Sequence, residues 1–79
     1  MNQNAKEETV KFGNKVGTRI KQERKKRGIK LDALSETTGL NVVYLNLIER
    51  NRRTINLNTL IKIVNGLNLR VLDFEQYQL

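Results

Sequence analysis

The first helical pattern of hydrophobic residues lies in the N-terminal third of the chain. Phe12, Val16 and Ile20 follow one another at steps of four, which places them on one stripe of a helix. The pattern predicts a first helix that begins at residue 9 or 10 and ends at residue 27. Gly28 follows, and a glycine there can take the left-handed conformation that ends a helix.

Residues 31–50 hold two shorter helical patterns with a turn between them. Gly39 can adopt the positive φ that a sharp turn needs, and Asn41 has the short acceptor side chain that caps a new helix. After the turn, Leu45 and Ile48 stand three residues apart and give the following helix, residues 42–50, an inward face. A helix, a glycine-containing turn and a second helix form the helix-turn-helix, whose second helix reads DNA.

A fourth helical pattern runs from residue 57 to residue 67, after a capping residue at Asn56. Its apolar positions form a stripe that predicts core residues, with Ile63 at the edge: Leu57, Leu60, Ile61, Val64 and Leu67. Residues 69–79 are unusually apolar, and their spacing fits either a short helix or an extended segment. Residues 1–8 are polar and aperiodic, which predicts a flexible tail before one domain at 9–79.

Composition excludes several classes of protein. The 79-residue chain has no Cys and no His, so disulfides, thiolate metal sites and imidazole chemistry are excluded. No motif joins a nucleophile to a base, and no cofactor loop occurs, so we expect no enzyme, no cofactor, no metal and no small-molecule ligand. No apolar run approaches the roughly 18 residues of a membrane span, and no signal peptide is evident. We therefore expect a cytoplasmic, nucleoid-associated protein that does not contact membranes.

The charge of the chain predicts a polyanionic partner. Fifteen Lys and Arg residues against eight Asp and Glu residues give a net charge of +7. Nine basic residues fall between Lys11 and Lys30 against a single acid, Glu23. Such clustering favours nucleic acid over a face that is charged only for solubility.

Several runs of the sequence together resemble the helix-turn-helix family of the phage lambda and Cro repressors, the XRE type. The resemblance covers about three quarters of the chain and rests on residues 16–20, 24–28, 31–53 and 57–69. It implies an all-α fold of five short helices, with the helix-turn-helix formed by the second and third. It also implies a prokaryotic or phage transcriptional regulator, a repressor or an autoregulatory controller, that binds double-stranded DNA as a homodimer.

The resemblance further implies an inward-facing ion pair between Arg24 and Glu49. Arg24 continues the apolar stripe of the first helix, where an unpaired arginine would be unusual. Glu49 lies next to Leu45 on the helical wheel, so the geometry permits the pair. Two unrelated surface charges are the alternative. Leu31 and Glu23 depart from the family pattern, since relatives often carry a phosphate-holding Gln at the first position and an apolar residue at the second.

By the same resemblance, one face of the third helix contacts the bases of the major groove: Val42, Val43, Asn46, Leu47 and Arg50. Relatives commonly have polar side chains at these positions, whereas three of these five are apolar. Because apolar side chains read the C5-methyl group of thymine, we expect thymines opposite the two valines and the leucine. Asn46 suits adenine, and Arg50 suits guanine or a phosphate. We expect modest direct readout, with further specificity from DNA shape.

The DNA backbone is expected to be held by residues that flank this face. Arg52 and Arg53 lie on a loop without an obvious helix to cap, which makes them the strongest candidates for phosphate contacts. Lys30 stands at the entrance of the second helix, while Thr54 and Tyr44 offer hydroxyl groups. Asn51, in place of the frequent family glycine, is a residue that tolerates a left-handed turn.

Two interfaces with protein are also indicated. The C-terminal segment, residues 69–79, is predicted to form the homodimer contact through four residues: Val71, Leu72, Phe74 and Tyr77. Alternatively, Leu69 and Leu72 only close the core. The apolar strip on the third helix also fits a protein partner, so the rival hypothesis is a protein-interaction module with the same fold. RNA binding is a weaker alternative, because the chain lacks an aromatic stacking platform.

Overall fold

The computed structural model describes residues 9–10 and 16–70, which form four helices and a two-stranded antiparallel sheet. In chain order these elements are β1 (Thr9–Val10), α1 (Val16–Lys26), α2 (Leu31–Thr38), α3 (Val42–Glu49), β2 (Ile55–Asn56) and α4 (Leu57–Gly66). The helix-turn-helix is α2 and α3, as predicted. The expected fifth helix falls on residues outside the described ranges, and so does the expected N-terminal tail. Within the described parts of the chain, no helix is long and apolar enough to cross a membrane.

The predicted start of the first helix is wrong. Thr9 and Val10 lie in β1 and pair with Asn56 and Ile55 of β2, so the helix does not start at either residue, and the described part of α1 is Val16–Lys26. Both N-terminal residues are β-branched and suit extended backbone. Their partners are distant in sequence, so a local helical period could not reveal the pairing.

The helix-turn-helix and α4 begin and end at the turn residues that the sequence indicates. Gly39 ends α2 with a φ of 77°, in the left-handed region. The side chain of Asn41 accepts a hydrogen bond from the backbone N–H of Val43 at 2.7 Å. Asn56 caps α4 in the same way, by accepting from the backbone N–H of Thr59 at 2.8 Å. Each asparagine satisfies a donor that a helix start would otherwise leave unpaired.

The core is built by residues from all four helices and from β2: Ile20, Leu34, Leu45, Ile48, Ile55, Leu60, Ile63, Val64 and Leu67. Two core predictions on α4 are corrected. Ile63, placed at the edge of the stripe, is fully buried, whereas Leu57, placed in the core, is 38% exposed. Ile61 is only partly buried. The buried face of α4 is therefore rotated toward Ile63. Leu60, Ile63, Val64 and Leu67 keep the helical spacing of three and four residues, and packing against α2 selects this face over the neighbouring one.

Glu23 of α1 is a buried carboxylate surrounded by cations. It is 6% exposed, and its carboxylate accepts hydrogen bonds from Arg19 Nε at 2.6 Å and from Arg27 Nη1 at 2.5 Å. Lys26 Nζ lies 3.5 Å from the same carboxylate. The hydrogen bond from Arg27, together with the charges of Arg19 and Lys26, lowers the pKa of Glu23 below its ordinary value. This departure from the family's apolar residue is thus accommodated by charge pairing.

We expect Glu23 to contribute less to stability as the solution becomes acidic. Because the pKa of Glu23 is lowered in the folded state, its contribution is present above the unfolded value of 4.5 and disappears as the pH falls through the folded value. Thermal unfolding of wild type and Glu23→Gln, followed from neutral pH to about pH 3, measures this contribution. The gap between the two melting temperatures should narrow below the unfolded pKa. A gap that stays constant over the range would contradict the assignment.

Candidate nucleic-acid interface

The turn between α2 and α3 is held by hydroxyl groups. The Ser35 hydroxyl donates to the carbonyl oxygen of Leu40 at 2.5 Å. The Thr38 hydroxyl donates to the carbonyl oxygen of Leu34 at 2.7 Å and accepts from the backbone N–H of Leu40 at 3.1 Å. Leu40 itself is half-buried and packs against the core. These bonds fix the angle at which α3 leaves the turn.

The structure brings Arg24 and Glu49 together in a buried, two-pronged ion pair. Arg24 Nε lies 2.7 Å from Glu49 Oε2, and Nη2 lies 2.9 Å from Oε1. The third guanidinium nitrogen, Nη1, donates to the carbonyl oxygen of Ile29 at 2.8 Å. The hydrogen bonds to Glu49 raise the pKa of Arg24 above its ordinary value. A single side chain therefore ties α1 to α3 and to the turn before α2.

The loop after α3 is fastened to the start of α1 by Asn51. This residue has a left-handed φ of 59°, as its place in the sequence suggests. Its Oδ1 accepts from the backbone N–H of Gly17 at 3.1 Å, and its Nδ2 donates to the Thr18 hydroxyl at 3.0 Å. A Cβ on Gly17 would lie 2.0 Å from the carbonyl oxygen of Ile48, so the two helices approach closely here. A glycine within the helical pattern of α1 is a sequence signal for this close approach, whereas nothing local in the sequence indicates the bridge made by the Asn51 amide.

The five candidate base-reading residues lie on the side of α3 that faces away from the core. Val43 is 63% exposed, and Asn46 and Arg50 are also exposed. Val42 and Leu47 flank them and are partly buried. The opposite side of α3 carries the buried residues Leu45, Ile48 and Glu49. The helix thus presents apolar side chains at its N-terminal end and a cation just past its C-terminal end.

The candidate phosphate contacts surround this face. The guanidinium of Arg53 lies 5.0 Å from the centre of the Tyr44 ring, a cation–π contact. Tyr44 is partly buried and packs against the core, so Arg53 rests on a supported ring. Arg52 and Thr54 are exposed beside it.

At the other end of the motif, Lys30 is exposed and precedes α2 in extended backbone, with φ −77° and ψ 154°. Leu31, which replaces the usual family Gln, is half-buried and packs against the core. That position therefore serves packing in this chain. The four candidate dimer residues lie outside the described ranges: Val71, Leu72, Phe74 and Tyr77.

The chain is similar in sequence to known helix-turn-helix proteins. A family model described as helix-turn-helix matches residues 20–74. The HTH-type transcriptional regulator SutR of Escherichia coli (strain K12) is 43% identical over 54 residues, which cover 68% of this chain and 30% of SutR. The chain therefore spans less than a third of the length of that curated relative.

Two solved structures of restriction-modification controller proteins share the fold. C.AhdI from Aeromonas hydrophila has a TM-score of 0.67 and 26% identity, over 68% of this chain and 82% of that one. C.Esp1396I, solved as a tetramer in complex with its natural 35 base-pair operator, has a TM-score of 0.76 and 30% identity. That match covers 86% of this chain and 91% of C.Esp1396I.

Proposed function

Because this chain belongs to the helix-turn-helix family of the lambda and Cro repressors, we propose that it is a sequence-specific regulator of transcription that binds double-stranded DNA. The observation that carries the proposal is the outward face of α3, which is exposed and is bordered by cations. SutR is a transcriptional regulator and C.Esp1396I binds an operator, which supports the same role here. The family is not an enzyme family.

In this proposal α3 enters the major groove with five residues toward the bases: Val42, Val43, Asn46, Leu47 and Arg50. Asn46 has the donor and acceptor pair that matches adenine, and Arg50 has the fork that matches guanine. The aliphatic side chains contact thymine methyl groups. Since only two of the five side chains form hydrogen bonds to bases, part of the specificity comes from DNA shape.

The DNA backbone is held from both ends of the motif. Arg52, Arg53 and Thr54 contact phosphates on one side, with Tyr44, and Lys30 contacts them at the start of α2. The stacking of Arg53 on Tyr44 orders the guanidinium before DNA arrives, which reduces the entropy lost on binding. Because these contacts displace counterions, affinity falls steeply as salt rises.

We further propose that two copies bind one site as a homodimer and act as a repressor or an autoregulatory controller. Two recognition helices then enter successive major grooves about 34 Å apart on a pseudo-palindromic site. The dimer contact is assigned to the C-terminal segment, through Val71, Leu72, Phe74 and Tyr77. The tetramer of C.Esp1396I on its operator supports assembly of more than one copy on DNA.

One observation favours a second candidate function. Val43 is a large apolar side chain that is 63% exposed, and exposed apolar surface often marks a protein interface. In that case the same fold is a protein-interaction module that uses α3. Such a module would bind random DNA weakly despite the net charge of +7.

The Arg52→Ala/Arg53→Ala variant tests the proposed docking. We expect the slope of log K against log salt to become less steep by about 2 per protomer, because two phosphate contacts are removed. Fluorescence anisotropy with random duplexes at several salt concentrations measures the slope. On a duplex that carries one selected site, a titration with the DNA held well above Kd then gives the number of protomers bound, which is expected to be two.

A Lys21→Ala/Lys25→Ala variant is the matched control, because it removes the same charge from exposed positions of α1. Its slope should remain close to that of wild type. Equal losses in both variants would show a general charge effect and would sink docking through the loop. Absence of wild-type binding at low salt would overturn the regulator proposal in favour of the interaction module.

A further inference from the structure

We propose that the apolar recognition surface of α3, formed by Val42, Val43 and Leu47, accepts 5-methylcytosine, so that methylation of cytosine at C5 tightens binding to the site. The proposal rests on the proposed function, since it requires α3 to lie in the major groove. Under this proposal, affinity depends on cytosine methylation as well as on base sequence.

The chemical basis is the single apolar feature of the major groove. Thymine carries a methyl group at C5, and 5-methylcytosine carries the same group at the same position of the ring. The two bases differ at C4, where thymine has a carbonyl acceptor and cytosine an amino donor. An aliphatic side chain forms no hydrogen bond with either group. The apolar recognition surface therefore detects the methyl group and not the base that bears it.

The geometry of α3 leaves the centre of this surface available and rigid, with the partly buried Val42 and Leu47 at its edges. Val43 is 63% exposed, so most of its side chain is free to contact a ligand. In a helix, valine holds one strongly preferred χ1 rotamer, so its methyl groups lose little freedom on contact. Leu47 lies one turn further along, about 6 Å away on the helix axis, which is roughly two base-pair steps. Two pyrimidine methyl groups that lie about two base pairs apart thus fall within reach of the surface.

The polar neighbours of this surface do not exclude a cytosine–guanine pair. Asn46 is exposed and lies one helical turn from both valines. Its amide can match adenine, but its NH₂ group can also donate to guanine O6 or N7. Arg50, a further turn along and also exposed, has the fork that guanine prefers. A 5-methylcytosine–guanine pair therefore meets acceptable partners on both of its bases.

Duplexes that differ by one methyl group test the proposal. A random duplex library, made with either dCTP or 5-methyl-dCTP, is selected on the full chain. The recovered duplex is then resynthesised with thymine, uracil, cytosine or 5-methylcytosine at each contacted pyrimidine. We expect thymine to bind about fourfold more tightly than uracil, and 5-methylcytosine to exceed cytosine by a similar factor, because each exchange buries one methyl group.

The Val43→Ala variant assigns the effect to a side chain. The residue is exposed and alanine is the better helix former, so α3 is retained. At the pyrimidine that Val43 contacts, the ratio of affinities for thymine over uracil should fall toward one, and so should the ratio for 5-methylcytosine over cytosine. The slope of log K against log salt should stay unchanged. Leu57→Ala, which truncates another exposed apolar side chain on α4, is the control and should keep both ratios.

The outcomes separate this proposal from the function on which it rests. Steep salt-dependent binding with equal affinity for cytosine and 5-methylcytosine would overturn methyl recognition and leave the DNA-binding function standing. Weaker binding of 5-methylcytosine than of cytosine would overturn it too. A methyl preference that survives in Val43→Ala would overturn the assignment to this surface. Loss of all salt-dependent binding by wild type would instead reject the proposed function itself.

Discussion

Glu49→Gln is expected to lower the free energy of unfolding by about 3–5 kcal/mol. The glutamine cannot supply the second charge-assisted hydrogen bond, and it leaves the guanidinium of Arg24 buried without a counter-charge. Arg24 is only 8% exposed, so water cannot replace the lost partner. Because a domain of this size has a total stability of only about 4–12 kcal/mol, the loss is a large fraction of the total, and the variant should unfold at a much lower urea concentration than wild type.

Urea unfolding followed by circular dichroism measures this loss. The Arg24→Met/Glu49→Leu double variant is the control, since replacing both members of a buried pair by apolar residues of similar size is often neutral. We therefore expect the double variant to be more stable than Glu49→Gln. If Glu49→Gln unfolds at the same urea concentration as wild type, the buried pair contributes nothing to the stability of the domain.

Gly17→Ala is expected to destabilise the domain by about 1–3 kcal/mol or more. The added Cβ would lie 2.0 Å from the carbonyl oxygen of Ile48 and 2.5 Å from Oδ1 of Asn51. The first contact is with backbone, so α1 and α3 must move apart, and the Asn51 bridge must break. The direction of this effect is diagnostic, because alanine in an unobstructed helix would stabilise by about 1 kcal/mol.

Thermal unfolding of Gly17→Ala against Gln22→Ala measures this effect. Gln22 is exposed on the same helix, so its replacement by alanine should change stability by less than about 0.5 kcal/mol. The glycine variant should also bind DNA less tightly at every salt concentration, because α3 and the loop after it are displaced together. A Gly17→Ala protein as stable as wild type would show that the two helices do not approach this closely.

The elements that were predictable from sequence are those whose signals are local. Gly39 lies in the turn that it permits, and Asn41 lies immediately before the helix that it caps. The bounds of the helix-turn-helix are therefore within one residue of those predicted. The contact between Arg24 and Glu49 was predicted from the family resemblance, because a resemblance carries information about contacts between residues that are distant in sequence. Neither residue reveals the pair on its own.

The features that escaped prediction depend on distant partners or on the seating of an element. β1 needs β2 beside it, and Asn51 needs the backbone of Gly17. The orientation of α4 about its own axis follows from its packing. Ile63, predicted at the edge of the buried stripe, is therefore fully buried, and Leu57, predicted in the core, is partly exposed. The hydrogen bonds from Arg19 and Arg27 to Glu23 are different, since their spacing of four residues was visible in the sequence. The sequence shows this spacing of four residues, but it does not show that the Glu23 carboxylate is buried.

The pairing of β1 with β2 also imposes an order on folding. Helical turns form between residues that are close in sequence, whereas Thr9 and Val10 pair with residues more than 40 positions away, Asn56 and Ile55. Closing so long a loop carries an entropic cost, so we expect this contact to form late in folding. During synthesis the N-terminal partner emerges from the ribosome well before its counterpart exists. The segment that carries Arg52 and Arg53 leads directly into β2, so we expect the cationic loop to reach its final shape only once this pairing has formed.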